Sequence, residues 1–301
     1  MARAHRLRQH KLLAQGGFGE EVQPMVRTWS AGRLVRGRAV LLAAVLAGSV
    51  AAPAYAYEPD PAGAPALRLV LNLPAYRIDV YEFGELTRSY PVAIGLPRYR
   101  TPRGTYRLSS AEWNPWWHPP DSPWARGQAP SPPGPRNPMG QVKLYFRDLY
   151  YIHGTPEVNS IGSAASHGCV RMLNDDVVEL ARLVHRYASP ELSPLELDAI
   201  ASPAGRTRRV PFRQPVVLEI RYDLVESRDG ILHVHRDIYD LGSQRAVREQ
   251  VMQVLRGEGH ESGLVDMAGL EDLLRGARRG SVSMPIAWLV PDRSAPGAKL
   301  P

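Results

Sequence analysis

Residues 151–174 read YIHGTPEVNSIGSAASHGCVRMLN, and the parsing of this stretch decides the fold. Its left end continues Gln141–Ile152 (QVKLYFRDLYYI), a strand pair by pattern that delivers His153 to a strand end. A small, polar, glycine-bearing loop follows and leads into Ser166-His167-Gly168-Cys169. At the right end Asn174 can cap a helix, and Asp175 and Asp176 suit its positive N-terminus. Val177, Leu180, Ala181 and Val184 form an apolar stripe, and Arg182, His185 and Arg186 fall in the last turn. Strand, loop and helix terminus thus converge on histidine and cysteine.

Moving outward, the chain before this stretch reads as strands. Leu67, Leu69 and Leu71 alternate with Arg68, Val70 and Asn72; Tyr76, Ile78 and Val80 alternate with Arg77, Asp79 and Tyr81. Phe83-Gly84-Glu85 is a turn before a further strand over Leu86–Ile94, and Thr101-Pro102-Arg103-Gly104 is another before Thr105–Leu108. Residues 113–140 lose all periodicity: Trp113, Trp116, Trp117 and Trp124 sit among prolines and glycines. They form either a satellite core under a surface loop or an ordered lid on a cleft. Beyond the helix, Val216–Tyr222 and Ile231–Ile238 flank Asp229-Gly230 as a hairpin. Two amphipathic segments follow, one on Val247, Val251, Val254 and Leu255, the other on Met267, Leu270, Leu274 and Ala277. Pro285–Val290 reads as a final strand.

The chain has 301 residues and a formal charge of +7, a balance that invites a nucleic-acid reading. Its distribution argues otherwise. Eight basic but only two acidic residues fall in residues 1–56, leaving 29 against 28 in the remainder. Residues 1–56 read instead as an export leader: Arg33, Arg36 and Arg38 precede the uncharged Ala39–Ala52, and Ala54-Tyr55-Ala56 is a small-x-small cleavage pattern. Met25 would make a more ordinary start, so residues 1–24 read as an extension of it. The expected product is a protein of the periplasm or cell envelope, with no membrane anchor after cleavage. No cysteine lies near the cleavage site to carry lipid. Residues 57–66 are a Pro/Ala-rich linker, 67–200 the main domain, and 201–301 a hairpin and helical extension.

Export makes the cysteine count informative. Exported chains usually pair their cysteines, yet Cys169 is alone. A lone thiol retained in an oxidising compartment points to chemistry rather than packing. The nucleophile is the thiolate, and both an imidazolium and the nearby helix N-terminus would favour it. A Cys–His pair also supplies the proton shuttle for acyl transfer. Gly168 permits a tight turn, after which the Gly168 and Cys169 amides can face a developing oxyanion. Two histidines compete as the base: His167, two residues from the thiol, and His153, held on a strand end. One cysteine and two histidines without CxxC or HxxxH spacing make a poor zinc set, and thiolate, imidazole and oxyanion donors cover acyl transfer, so neither metal nor organic cofactor is expected. His233 and His235 read as an exposed or packed strand pair, and His118 and His185 likewise as residues without a chemical role.

SHGCVRM with HGT upstream resembles the signature of the L,D-transpeptidase catalytic-domain (YkuD-type) family. NLPAYRIDVYEFGE, YPVAIG, TPRGTYRL, PPGPRNPMG and HGTPEVNSIG resemble segments of its exported, ErfK/YbiS-like subgroup, as does the late Ser283-Met284-Pro285. The resemblance covers roughly residues 66–290. It implies a mainly-β sandwich or barrel catalytic domain with few helices and a small α/β C-terminal extension. It implies that Cys169 is acylated by a peptidoglycan stem tetrapeptide with release of D-Ala. The acyl group then passes to an amine, on another stem peptide or an envelope lipoprotein, or to water. His153 matches the base, oriented by the Gly154 carbonyl. His167, Ser166 and Gly168 match the residues that shape the oxyanion site, and Arg171 one that contacts a substrate carboxylate or braces the loop. The Trp-rich segment departs from the pattern. Its rigidity makes it a candidate lid, with at least one of Trp116, Trp117 and Trp124 facing Cys169.

Overall fold

Leu69, Val70 and Leu71 are all buried, so the first strand is covered on both faces and belongs in the middle of a sheet. The computed structural model, which describes residues 65–260 and 262–290, places it there. Strand β1 (Leu67–Asn72) pairs antiparallel with β2 (Arg77–Glu82) and parallel with β10 (Arg208–Arg221). With β3 (Glu85–Pro91), β5 (Gly104–Trp113), β6 (Val142–Arg147), β7 (Tyr150–Thr155) and β9 (Val170–Leu173), the order is β3-β2-β1-β10-β5-β6-β7-β9. Two short strands, β4 (Ile94–Gly95) and β8 (Ala164–Ser166), pair parallel beside it.

The two edges of this sheet meet. Just past β3, the Ala93 amide donates to the Arg171 carbonyl at 2.9 Å, and the Arg171 amide returns the bond at 2.8 Å. Because Arg171 lies on β9, the sheet is nearly closed, and closure leaves few unpaired backbone groups at its edges. Helix α1 (Asn174–Ala188) runs across β6, β7 and β10 and buries Val177, Leu180, Ala181 and Val184 as its stripe requires. Burial of Val177, Leu180 and Val184 contributes about 1.5–3 kcal/mol for each side chain.

A second core lies C-terminal to it. Strands β11 (Val225–Arg228), β12 (Ile231–Val234) and β13 (Val282–Pro285) form a small antiparallel sheet. Helices α3 (Gln244–Gly257) and α4 (Met267–Ala277) pack with it, burying Val251, Leu255, Leu270 and Leu274. This is the expected α/β extension. It is joined to the barrel by Arg77–Glu226 at 2.8 Å and Arg228–Asp79 at 3.2 Å.

Several expectations change. Asp229-Gly230 is a hairpin turn, both residues at positive φ, but its first strand is β11 and not Val216–Tyr222. Residues 216–221 of that segment lie in β10, between β1 and β5, where Val216, Leu218 and Ile220 complete the barrel core. The boundary expected between residues 200 and 201 therefore falls before a central barrel strand, and the second core begins at Leu224. The final segment is a strand only through Pro285; Ile286–Leu289 is a short helix, α5. Helix α2 (Pro194–Ala201) had no counterpart in the pattern reading. Its signal was Ser193-Pro194-Leu195-Glu196, where Ser193 and Glu196 cap each other reciprocally. Among the described residues no helix is long and apolar enough to cross a membrane. The expected leader, residues 1–56, lies outside the described residues, as does most of the 57–66 linker.

Candidate active site

The site is written in the register of the barrel. Arg209, Glu112, Lys143, His153 and Arg171 are directly paired neighbours across β10, β5, β6, β7 and β9. One residue over, the paired row is Val210, Ala111, Leu144, Ile152 and Val170, all buried in the core. Since side chains alternate along a strand, the charged row occupies the opposite face. A run of apolar-polar alternations in five separate strands thus assembles one polar track, with His153 on it.

His153 is only 2% exposed, and its Nδ1 lies 2.7 Å from the Gly154 carbonyl. A carbonyl only accepts, so the proton sits on Nδ1 and the Nε2 lone pair is left free. Nε2 has no hydrogen-bond partner among the described residues. Burial pushes His153 down to about 4, against the upward pull of the Gly154 carbonyl and with smaller downward contributions from the charges of Arg171 and Lys143. It is neutral at physiological pH.

Cys169 is half-buried just ahead of β9. Its Sγ donates to the Leu149 carbonyl at 3.5 Å, and the Tyr151 amide faces the sulfur. Burial pushes the thiol up to about 11, outweighing the Tyr151 amide and the charges of Arg171 and Lys143, which favour thiolate. The parallel β7–β9 register sets Cys169, the residue before Val170, alongside Tyr151, two residues from His153 on the same strand. The resting pair is thiol and neutral imidazole. Neither expected thiolate-promoting influence applies: the imidazole is uncharged, and β9 separates Cys169 from α1.

The turn carrying the thiol is locked from within. Ser166, buried, donates its hydroxyl to the Cys169 carbonyl at 2.5 Å and accepts from the Gly168 amide at 3.0 Å. The Gly168 amide is therefore occupied and not aimed at an oxyanion, which corrects the expectation for it. Gly168 has φ +112°, and a Cβ there would come within 2.8 Å of the Tyr150 ring. Only glycine fits both demands. Arg171 braces the loop through Glu157 at 2.6 Å.

His167 points elsewhere. Its ring stacks on Trp124, centroids 3.9 Å apart at 9°, and also meets Tyr99 at 4.7 Å. Of the three candidate lid rings, Trp124 reaches the SHGC turn. Trp116 stacks on His118, and the Trp117 backbone pairs with Ser131. Trp113 is core, fully buried.

Three groups escaped the sequence reading. Lys143 is 8% exposed and pairs with Glu112 at 3.1 Å, with the rings of Tyr145 and Tyr151 at 5.3 and 5.2 Å. Thr101 donates to the Gly168 carbonyl at 3.0 Å, and its own amide donates to the Tyr239 hydroxyl. Tyr239 in turn donates to the Gly95 carbonyl at 2.8 Å, so the C-terminal third of the chain braces the loop beneath the thiol. Asn174 is not the helix cap: its side chain accepts from the Gln141 amide and donates to the Thr155 carbonyl, tying β7 to the loop before β6. Among the described residues no cluster of His, Cys, Asp or Glu has the makings of a metal site.

Residues 67–208 match the family model of the L,D-transpeptidase catalytic domain. The chain is 31% identical over 128 residues to the YkuD protein of Bacillus licheniformis, covering 42% of this chain and 66% of that one. It is 36% identical over 157 residues to the YbiS protein of Escherichia coli, covering 49% and 51%. Both relatives carry L,D-transpeptidase names. Among solved structures, an L,D-transpeptidase from Mycobacterium smegmatis aligns at 17% identity and a TM-score of 0.34, over 52% of this chain and 58% of that one. The chain spans between half and two thirds of the length of these curated relatives. Residues 67–208, which supply every barrel strand but β10 and carry both His153 and Cys169, form a domain that belongs to the L,D-transpeptidase catalytic-domain (YkuD) family.

Proposed function

We propose that the protein is a cysteine-dependent L,D-transpeptidase acting on peptidoglycan stem peptides in the cell envelope. The observation that carries this reading is the fixed tautomer of His153: Nδ1–H is held by Gly154, leaving Nε2 as a free base in the neighbourhood of the single thiol. The family match supplies the substrate class.

Both groups start neutral, so ionisation and attack are coupled. Cys169 gives its proton to His153 Nε2 as Sγ attacks the carbonyl at the L-centre of the stem diamino acid. The resulting imidazolium is stabilised by the Gly154 carbonyl, and the nascent thiolate by Lys143, Arg171 and the Tyr151 amide. With the Gly168 amide occupied, the Cys169 and His167 amides are the candidates for the oxyanion. The C–N bond to the terminal D-Ala then breaks, and His153 returns the proton to the departing amine. An acyl-thioester remains. An acceptor amine attacks it, His153 takes that amine's proton and passes it to the sulfur as the C–S bond breaks. Atoms and charges balance without a metal or organic cofactor.

The Ser166–Gly168 turn and the Arg171–Glu157 pair hold the thiol in place. Trp124 over His167 shields the thioester from water. Residues 1–56 act as the export leader that brings the enzyme to its substrate. The acceptor is a second stem peptide or an envelope lipoprotein; water makes the same domain an L,D-carboxypeptidase.

Intact-protein mass spectrometry tests the reading. Incubation with a disaccharide tetrapeptide should give one adduct on Cys169 and release one D-Ala; a carbapenem should give a competing adduct on the same residue. Absence of both adducts overturns the assignment. Muropeptide profiles from cells lacking or overproducing the protein identify the acceptor.

A further inference from the structure

The paired row Arg209–Glu112–Lys143–His153–Arg171 carries three permanent cations, and two of them have acids. Arg171 has Glu157 at 2.6 Å, and Lys143 has Glu112 at 3.1 Å. Glu112 also accepts from the Tyr145 hydroxyl, so its carboxylate is shared within the row. Arg209 has no carboxylate within ion-pair distance among the described residues. Yet its geometry is set. Nε donates to the buried Ser110 hydroxyl at 2.9 Å, and the guanidinium lies over the Tyr145 ring, 4.1 Å from its centroid. With Nε anchored and the plane supported by the ring, the terminal Nη edge is left for a bidentate partner, and the residue is exposed.

Its place on the track gives the partner's reach. β10 and β7 are separated by three strand spacings, about 14 Å at 4.8 Å each. That is roughly the length of four extended residues. A stem tetrapeptide in which an acidic residue is linked through its side-chain carboxyl bears a free α-carboxylate along that length. Arg209 lies on β10, one residue past the segment matched by the family model.

We infer that Arg209, oriented by Ser110 and Tyr145, is the receptor for an α-carboxylate of a peptidoglycan stem peptide laid across β10, β5 and β6 toward Cys169. The inference rests on the proposed stem-peptide activity and adds a specificity-determining residue to it. Arg209 does not touch the reacting atoms; it sets where the stem lies and which stems are held.

Calorimetric titration of the Cys169→Ala protein, which binds without reacting, is the test. The ligands are a synthetic stem tetrapeptide and the same peptide with its α-carboxylates amidated. Arg209→Gln should weaken binding of the acidic stem about ten- to a hundredfold, leave the amidated stem unchanged, and match the affinity ratio of the two ligands for intact Arg209. Arg209→Lys should fall between. Equal affinity of both stems with and without Arg209 overturns the inference while leaving the enzyme reading in place. Failure of both stems to bind with Arg209 intact overturns the inference and the enzyme reading together. In the Cys169 protein, a raised KM with unchanged kcat for acylation assigns the carboxylate to the donor; a raised KM only for the amine acceptor assigns it to the acceptor stem. A fall in kcat for both half-reactions with KM unchanged would mark Arg209 as structural and overturn the inference.

Discussion

The β5–β7 part of the barrel buries one histidine on each face, His153 on the polar track and His185 in the core. They are 2% and 1% exposed, and burial pushes both down to about 4. By burial and charge state they are indistinguishable. Their hydrogen bonds separate them. His185 Nε2 accepts from the Trp113 indole at 3.1 Å and Nδ1 faces the Ser189 hydroxyl at 3.2 Å, so both ring nitrogens are engaged. His153 has Nδ1 engaged and Nε2 free. A perturbed pKa therefore marks a buried group, and the free lone pair beside a thiol marks a base.

The largest expected effect tests whether the polar face is chemical at all. Cys169→Ala should abolish acylation by stem peptide and carbapenem. Its thermal midpoint should barely move, because a half-buried thiol with a 3.5 Å bond contributes little packing. Cys169→Ser should be nearly as inactive, a hydroxyl being much harder to ionise. Robust product from either variant removes Cys169 as nucleophile.

The two histidines should then fail in opposite ways. His153→Asn should slow acylation by about 10² to 10⁴ through loss of the base. His185→Asn should leave the acylation rate unchanged but lower stability by roughly 2–4 kcal/mol, through an orphaned indole N–H and imperfect packing in the core. Measured by single-turnover acylation and by denaturant unfolding, a reversed pattern would dissolve the comparison. His167→Asn should reduce rate less than His153→Asn, since its ring is engaged by Trp124 and Tyr99.

Acid sharpens the contrast further. Above about pH 4, His153 remains neutral and able to accept a proton, so acylation should be level from neutral pH to near 5 and fall about tenfold per unit below 4. An acid limb at 6.5 would mean the base is exposed. Stability moves over a different window. Both histidines have folded values depressed from 6.5 to about 4, so between these pH values the unfolded chain binds more protons. Stability is full above 6.5 and declines as pH falls toward 4, on the order of 2–3 kcal/mol for each histidine. His185→Asn should flatten about half of that slope.

What was legible in the sequence follows the same division between local and lateral information. Alternation along the chain marked β1, β2 and β7, and the stripe of α1 was visible because its period is local. SHGC and His153 stood out because a lone thiol near histidines is chemically unusual. Lys143, Glu112 and Arg209 did not, because their significance is lateral: each is an ordinary polar residue on its strand until the register lines it up with His153. Val216–Tyr222 reads as a hairpin arm for the same reason. Its apolar residues fit a hairpin with β12 as well as a place beside β1, and the need to fill the gap between β1 and β5 decided it. The reading of the Gly168 amide failed because Ser166, two residues earlier, takes it.

The smallest expected effect lies at the Trp-rich loop, where two tryptophans play the same contrasting parts as the histidines. Trp113 is fully buried and bonded to His185; Trp124 is half-buried and stacked on His167. Trp113→Ala should cost about 3–5 kcal/mol of stability, as removal of a large core side chain does. Trp124→Ala removes one aromatic stack, worth about 0.5–1.5 kcal/mol, from a short 3₁₀ turn over Pro123–Ala125 at the surface. Its consequence should be chemical. With the ring gone, water reaches the thioester more readily, and the ratio of hydrolysis to transfer should rise a few-fold, at a fixed acceptor concentration, while acylation itself is nearly unchanged. Trp116→Ala, whose ring stacks on His118, should change neither quantity. If Trp124→Ala leaves the ratio at the wild-type value, the stack on His167 is packing alone and the lid has to be sought elsewhere.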